Sequence, residues 1–535
     1  MENKKKKVLI YLLGILIIAS FFRLWQLVEI PPGLYPDVAI YANDALDSLK
    51  IGNFRVFYPE NNGREGLFIW LLALSFSIFG VSIWSIKITT ALIGILTVLG
   101  LYLLTKELFS FNNQIVKESN NQIIIALLSS FFLAISFWHT NFSRIGFRAI
   151  LVPFILVFGF YFLFRGFRSQ KFLDFLIAGL FFGLGFYTYI SYRPIAILFL
   201  ILLFWWLLYT LKIQKNPLLF FKSTFCFLFF SFLVALPIGI YFLTHPQDFL
   251  SRAVGVSIFV QEKLYLALSE STLKHLGMFH FYGDSNWRHN FAGSPMLFLP
   301  LGILFLIGFC FVVIKSFYYI QKKDDLSLIA SRNYGFLLLW FFLALLPGIL
   351  SYEGIPHALR TIGIIPVVYI FVSLGGYFLY QWLRKNTKSQ ILLFSAFSLF
   401  LLMVGVVEFD KYFNKWGKLN EVKNAFSTDY VRIGNYLNTL GDDIQKYVIV
   451  NQAGVPVPLP KGIPMPAQTI MFIERTKFEK LRTIYLLPDQ LEEIKIVNRG
   501  VIIPMRDDER LFQELQTRFP QGKIQEKEKI KVFVI

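Results

Sequence analysis

The sequence predicts a polytopic α-helical membrane protein that carries a small α/β domain toward its C-terminal end. Three observations predict it. Hydrophobic residues make up 56% of the 535 residues against 16% charged, with 61 phenylalanines, more apolar surface than a water-soluble core of this length can hide. That surface is gathered into runs of membrane-spanning length rather than spread through amphipathic patterns. From about Glu408 the composition changes to mixed charge and short strand-like runs.

Apolar runs of about 17–25 residues, the length that crosses about 30 Å of hydrocarbon, lie near 8–28, 83–105, 122–138, 149–165, 172–190, 194–211, 219–243, 296–319, 333–350, 360–383 and 389–407, eleven in all. The first follows a basic start, MENKKKK, but no small-residue cleavage site precedes FFRLWQLVEIPPG, so it reads as an uncleaved signal anchor. The apolar segment 67–80 reaches only about 21 Å as a helix. Reading it as a juxtamembrane helix leaves every internal segment basic: KKKK (4–7), 106–117, RGFRSQK (165–171), LKIQK (211–215), KSFYYIQKKDD (315–325) and LRKNTK (383–388). The expected topology has a cytoplasmic N-terminus and an extracytoplasmic C-terminal domain.

The domains expected are 1–407, membrane-embedded with a first external loop at 29–82, and 408–535, extracytoplasmic. In the second, a helical pattern leads into runs such as YVIVNQ, KIVNRGVII and IKVFVI, an α/β signature. The net charge of +18 sits in the short internal segments, the placement expected beside anionic lipid, so it predicts a membrane-lipid partner and no nucleic acid. Cys226 and Cys310 both lie in apolar runs, which argues against a disulfide or a thiolate metal cluster.

Polar chemistry is concentrated in the external loops. EIPPGLYPDVAIYANDALDSLKIGNFRVFYPENNGREG (29–66) holds Asp37, Asp44, Asp47, Glu60, Arg64 and Glu65. Asp37, in a proline-fixed turn just beyond the first span, has three readings: proton acceptor from an attacking hydroxyl, ligand to a divalent cation, or cap of the helix that follows. Asp44 and Asp47, seven and ten residues on, share its helical face; a solvated face is their simpler reading, with acceptor contact the alternative for Asp44. Arg64 and Glu65 stand immediately before an apolar helix, at head-group depth, either as a functional pair or as an interfacial ion pair of little energetic weight.

Arg144, Arg148, Arg193 and Arg360 fall in external loops, where positive-inside statistics remove arginine unless it has a task. A planar guanidinium grips phosphate in two places at once, so the set points to an anionic lipid-phosphate ligand; snorkelling explains any one of them singly. His357, three residues before Arg360, would lie one helical turn away and donate to the same phosphate; a structural histidine is the alternative. Tyr187, Tyr189 and Tyr192 read as an interfacial aromatic belt, with sugar stacking at Tyr189 the other reading.

PPGLYPD, NGRE before an apolar helix, WHTNFSRIGFRA, YTYISYRP and PHALRTIGIIP occur in this order, and together they resemble the bacterial GT-C glycosyltransferases. That superfamily includes the protein O-mannosyltransferases and the transferases that put aminoarabinose on lipid A. The resemblance covers roughly 8–410 and implies a GT-C fold with about eleven spans and juxtamembrane helices in the first external loop. It implies a catalytic carboxylate at Asp37 and a second acidic site residue at Glu65. Many relatives have an acidic pair where this chain has Asp37-Val38, and proline where it has Gly66.

The reading is a transferase of a bacterial plasma membrane. It moves a sugar from a polyprenyl phosphate to an acceptor hydroxyl on protein, lipid or polysaccharide, by single displacement with inversion. Asp37 and Glu65 are the catalytic candidates; Arg64, Arg144, Arg148, Arg193, His357 and Arg360 face the donor phosphate; Asp44 and Tyr189 contact acceptor or sugar. No cofactor and no metal is expected, a divalent cation being the less favoured alternative. A lipid-linked sugar transporter and a non-catalytic envelope scaffold are the rival classes.

Overall fold

A computed structural model describes residues 2–110, 121–322, 325–457 and 462–535. Parts of two predicted internal basic segments, at 111–120 and 323–324, lie outside the described residues. Among those described, nine helices are long and apolar enough to cross a membrane, from Lys5–Leu24 and Ile83–Leu108 through Gln390–Lys418. Of the eleven predicted runs, the remaining two are shorter apolar helices, Asn121–Ile135 and Phe172–Gly185. The segment expected to be too short to span forms the 13-residue helix Leu67–Phe79, about 20 Å long.

The chain divides into two compact units, one of Met1–Trp25 with Thr90–Trp416 and the other of Gln26–Thr89 with Gly417–Ile535. The first is a helical bundle. Its helices approach where side chains vanish: a Cβ on Gly308 would run into the Phe371 carbonyl, and one on Gly375 into that of Leu304. The helices Leu299–Gln321 and Ile365–Asn386 therefore meet backbone to backbone, the small-residue packing that substitutes in lipid for a hydrophobic drive between helices. Buried arginines tie off helix ends. Arg23 donates to the carbonyls of Ala134 (2.8 Å) and Leu133 (3.3 Å), at the end of Asn121–Ile135. Arg144 does the same for Phe22 (3.0 Å) and Trp25 (2.7 Å). These terminal carbonyls have no intrahelical donor, so a guanidinium satisfies what the helix cannot.

The second unit holds a two-stranded hairpin, β1 (Phe57–Tyr58) and β2 (Arg64–Glu65), and a five-stranded sheet. The sheet comprises β3 (Ile444–Ile449), β4 (Ile484–Leu486), β5 (Arg499–Pro504), β6 (Lys523–Lys527) and β7 (Ile530–Val534), in the order β4-β3-β5-β7-β6. β3 runs parallel to β4 and β5, and the β5-β7 and β6-β7 pairs are antiparallel. Both faces of the sheet are covered. Val448, Val450, Val501 and Ile503 pack on Ile433 and Leu437 of Thr428–Thr439 and on Ile470 and Met471 of Gln468–Arg475. Tyr447, Ile449, Ile502 and Phe533 pack on Leu511, Phe512 and Leu515 of Glu509–Arg518. Burial on both faces is why the second half of β3, Tyr447–Ile449, is apolar without alternation. The charged edge strand β6, KIQEK, stays largely exposed, a sequence that discourages further pairing.

Candidate functional site

In the second unit the polar loop folds around one helix. Pro36 opens Pro36–Ile51 at its first position, where the missing N–H costs nothing, and Asp37 follows in the first turn, where the helix dipole favours an anion. The N-cap residue Tyr35 makes no side-chain capping bond. Asp37 Oδ1 instead accepts from Asn61 Nδ2 at 3.0 Å. Asn61 belongs to the β1-β2 turn, where Asn61, Asn62 and Gly63 all have positive φ (52°, 62° and 86°). Asn and Gly are the residues that tolerate such backbone. At Gly63 the Phe57 ring occupies the space a Cβ would need.

Arg64 fixes that turn. Its side chain is 1% exposed and ion-pairs with Asp44 and with Glu60 Oε2 (3.2 Å), while its Nε donates to the Glu60 carbonyl at 3.1 Å. The guanidinium also lies 5.9 Å from the Tyr41 ring centroid and 5.8 Å from that of Tyr58. Burial, opposed by the Arg64 guanidinium, pushes the Asp44 carboxyl up to about 6. The expectation of a solvated face is therefore corrected for Asp44, whereas Asp47 stays half-exposed. Asp44 is held by a buried arginine, and Asp47 pairs with Arg475 at 2.5 Å. The Arg64–Glu65 ion pair is replaced likewise: neighbours along a strand project to opposite faces, and Arg64 turns to Asp44 and Glu60. Glu65 is itself buried.

Beside this cluster lies a cleft of about 410 Å³ lined by Asn43, Asp44, Asp47, Glu60, Arg64 and Arg475 among others. Asn43 donates to Gln468 Oε1 (2.8 Å) and accepts from Arg475 (3.3 Å), so Pro36–Ile51 and Gln468–Arg475 form its walls. Its cations and carboxylates nearly balance, a lining suited to a polar, hydroxyl-rich ligand and not to a strongly charged one. Asp37 and Glu65 are not among the lining residues.

In the first unit the predicted phosphate-facing residues each have partners. Arg144 is fully buried on the helix-end carbonyls described above, with its guanidinium 5.1 Å from the Phe413 ring centroid. Arg148 lies 5.3 Å over the Tyr189 ring, so these two candidates are brought together. Arg193 donates to the Phe249 carbonyl at 2.7 Å and stacks on that residue's ring at 4.1 Å. Arg360 donates to the Glu353 carbonyl at 2.8 Å and approaches its carboxylate at 3.5 Å. The helical turn expected for His357 and Arg360 is a non-helical turn after Pro356, in which the Arg360 N–H reaches His357 Nδ1 at 3.4 Å.

His357 belongs to a group that the loop-by-loop reading missed. Asp284 and His289, from the turns at 278–298, converge on it. Behind it, burial holds His275 down at about 4, so its neutral ring accepts the His357 N–H at Nε2 (3.2 Å) and donates from Nδ1 to the Ser271 carbonyl (2.8 Å). A signal was available: all six histidines of the chain, at 139, 245, 275, 280, 289 and 357, fall in loops that the topology assigns to one side.

Residues 67–235 match the family described as dolichyl-phosphate-mannose-protein mannosyltransferase. Among solved structures, ArnT from Cupriavidus metallidurans in the apo state is similar at a TM-score of 0.55 and 10% identity, covering 99% of this chain and 98% of that chain. The same protein bound to undecaprenyl phosphate gives a TM-score of 0.54 at 12% identity, with the same coverage of both chains. The archaeal oligosaccharyltransferase AglB from Archaeoglobus fulgidus, in complex with an inhibitory peptide and a dolichol-phosphate, gives 0.49 at 13% identity, covering 94% of this chain and 70% of that chain. No curated protein matches by sequence. The chain has the GT-C fold, the architecture its loop motifs implied, and resembles ArnT and the protein mannosyltransferases.

Proposed function

We propose that this chain is an integral-membrane glycosyltransferase that moves a sugar from a polyprenyl phosphate to an acceptor hydroxyl at the extracytoplasmic face of a bacterial plasma membrane. One observation carries the reading: a GT-C fold that covers nearly all of an ArnT structure with undecaprenyl phosphate bound. The mannosyltransferase match over 67–235 supports it.

Asp37 is the general base. It takes the proton of the acceptor oxygen as that oxygen attacks the anomeric carbon, and the polyprenyl phosphate leaves with its electron pair. Single displacement inverts the anomeric centre, and the lipid phosphate serves as leaving group without a nucleotide. The Asn61 bond at 3.0 Å orients the Asp37 carboxylate. The Asp44–Arg64–Glu60 cluster positions the turn that carries Asn61, and Glu65 is the second catalytic carboxylate. Arg148, Arg193 and Arg360 bind donor phosphate, where preorganised guanidinium groups stabilise the charge that develops on the leaving group. Tyr189 contacts the sugar, Arg144 and His357 act by positioning, and no metal enters the transfer step. The cleft at Asn43, Asp44 and Arg475, which Asp37 does not line, takes a part of the acceptor away from the attacking hydroxyl, the acceptor being a protein, lipid or glycan rich in hydroxyls.

The test uses wild type and Asp37→Asn purified in detergent, each incubated with a panel of radiolabelled polyprenyl-phosphate sugars and a crude envelope acceptor. Acceptor-dependent release of polyprenyl phosphate by wild type, slowed about 10²–10⁴-fold in the variant, supports the reading. Equal release moves the base to Glu65 or Asp44. No release with any donor favours a transporter or a scaffold.

A further inference from the structure

The strongest group of ligating side chains away from the proposed base is Asp284, His289 and His357. One ligand atom of each lies within 4.8 Å of the others. Asp284 is 2% exposed, His289 4% and His357 14%. His289 Nδ1 stands 2.9 Å from Asp284 Oδ2, and His357 Nδ1 stands 3.9 Å from the same oxygen.

A plain Asp–His hydrogen bond accounts for the first distance but not the second, which is too long for a hydrogen bond. Two imidazole nitrogens facing one buried carboxylate oxygen is an arrangement that can hold a metal ion, with the long 3.4 Å contact from the Arg360 N–H to displace at His357 Nδ1. Around a tetrahedral ion with bonds of about 2.0–2.1 Å, ligand atoms sit about 3.3 Å apart, and small side-chain rotations bring this trio there.

The surroundings are built as well. The Asn286 N–H holds Asp284 Oδ1 at 2.7 Å and the Ala358 N–H holds Oδ2 at 2.7 Å. Such outer partners fix a carboxylate ligand's orientation. The His289 ring packs on Phe142 and Phe147, at centroid distances of 5.8 and 6.2 Å, which sets its rotation. The His357 backbone is fixed by His275. Next in the chain to His289, Asn290 directs Nδ2 to the carbonyls of Asp284 (3.3 Å) and Ser294 (2.6 Å). Its Oδ1 is buried without a hydrogen-bond partner among the described residues.

We infer that Asp284, His289 and His357 form a binding site for a divalent transition-metal ion, of which Zn²⁺ fits the ligand set best. Two neutral imidazoles and one carboxylate make a three-ligand set with a fourth position open to an exogenous ligand. Ca²⁺ and Mg²⁺ want more oxygen ligands than this site offers. The ion fastens the segment 351–361, which carries Arg360, to the turns at 278–298. The ion touches none of the reacting atoms of the proposed transfer, and its binding is tested independently of that reading.

The experiment uses the full chain, purified in detergent through a tag without histidines, stripped with EDTA and dialysed against Zn²⁺ or Co²⁺. Metal content is measured by mass spectrometry and ligand geometry by the visible spectrum of the Co²⁺ form. Wild type is expected to retain about one equivalent per chain, to give the intense spectrum of a tetrahedral Co²⁺ site, and to show a thermal midpoint raised by Zn²⁺ but not by Mg²⁺. His289→Gln and His357→Gln are expected to lose metal and spectrum while keeping the gel-filtration profile of the stripped wild type. No uptake by wild type, or uptake by both His289→Gln and His357→Gln equal to wild type, overturns the site. Should the variants not fold, the wild-type stoichiometry, spectrum and Zn²⁺-specific stabilisation decide alone, and their absence rejects it.

Discussion

Arg64→Met tests the framework of the proposed base, because a single guanidinium closes the turn that carries Asn61. The substitution keeps most of the side-chain volume and strands two carboxylates, Asp44 at 16% and Glu60 at 18% exposure. Breaking a fully buried pair costs about 3–5 kcal/mol. Residual solvation of both carboxylates puts the expected loss near the lower end, about 3 kcal/mol at pH 8. For a unit of this size each kcal/mol moves the midpoint by about 2–4 °C, so calorimetry in detergent should show a fall of roughly 6–12 °C.

The sign of the pH dependence follows from Asp44. Its folded pKa, about 6, lies above its unfolded value near 3.8, so wild-type stability falls as pH rises through that window. Without Arg64 the carboxyl rises further, since burial and the Glu60 charge remain and the guanidinium that lowered it is gone. The defect should therefore be largest at pH 8 and shrink by half or more at pH 5. Neutralising both carboxylates, in Arg64→Met/Asp44→Asn/Glu60→Gln, should restore much of the loss. A defect below about 1 kcal/mol at pH 8, or one equal at both pH values, would refute the argument.

Other outcomes follow from the same geometry. Asp37→Asn should slow transfer about 10²–10⁴-fold with an unchanged thermal midpoint, because the side chain is only partly buried; a large midpoint shift would make it structural. Asp44→Asn should gain about 2 kcal/mol relative to wild type between pH 4 and pH 8, read from paired unfolding curves; a pH-independent difference contradicts the raised carboxyl. Gly63→Ala should cost about 1–3 kcal/mol, since φ is +86° and the Phe57 ring fills the Cβ position, and a neutral effect would show that the turn relaxes. Arg475→Ala should cost about 1 kcal/mol, less in high salt, because its partner Asp47 is 46% exposed; salt-independent loss would point to packing instead.

The membrane spans, the too-short helix at 67–80 and the apolar strands β3, β5 and β7 were legible because hydrophobicity is a local quantity. A run of residues either fills the hydrocarbon thickness or does not, whatever the rest of the chain does. The loop 29–66 stood out for the same reason, as polar groups where lipid disfavours them. The pairing of those groups was not legible. Asp44 and Asp47 sit on one helix face, yet one meets Arg64, 20 residues on, and the other Arg475, 428 residues on. Arg144 looked like a ligand for phosphate and is buried on the end of the first helix. His357 looked like Arg360's companion and faces Asp284.

By itself, then, the sequence determined the class of the protein, the places of its apolar helices and the loops that hold its polar chemistry. Only the tertiary structure decided which charges meet, and so which carboxylates are available and which are bound. The physical reason is range. Apolar burial adds up residue by residue along the chain, whereas an ion pair or a ligand set depends on a few ångströms between side chains that the sequence can separate by hundreds of positions.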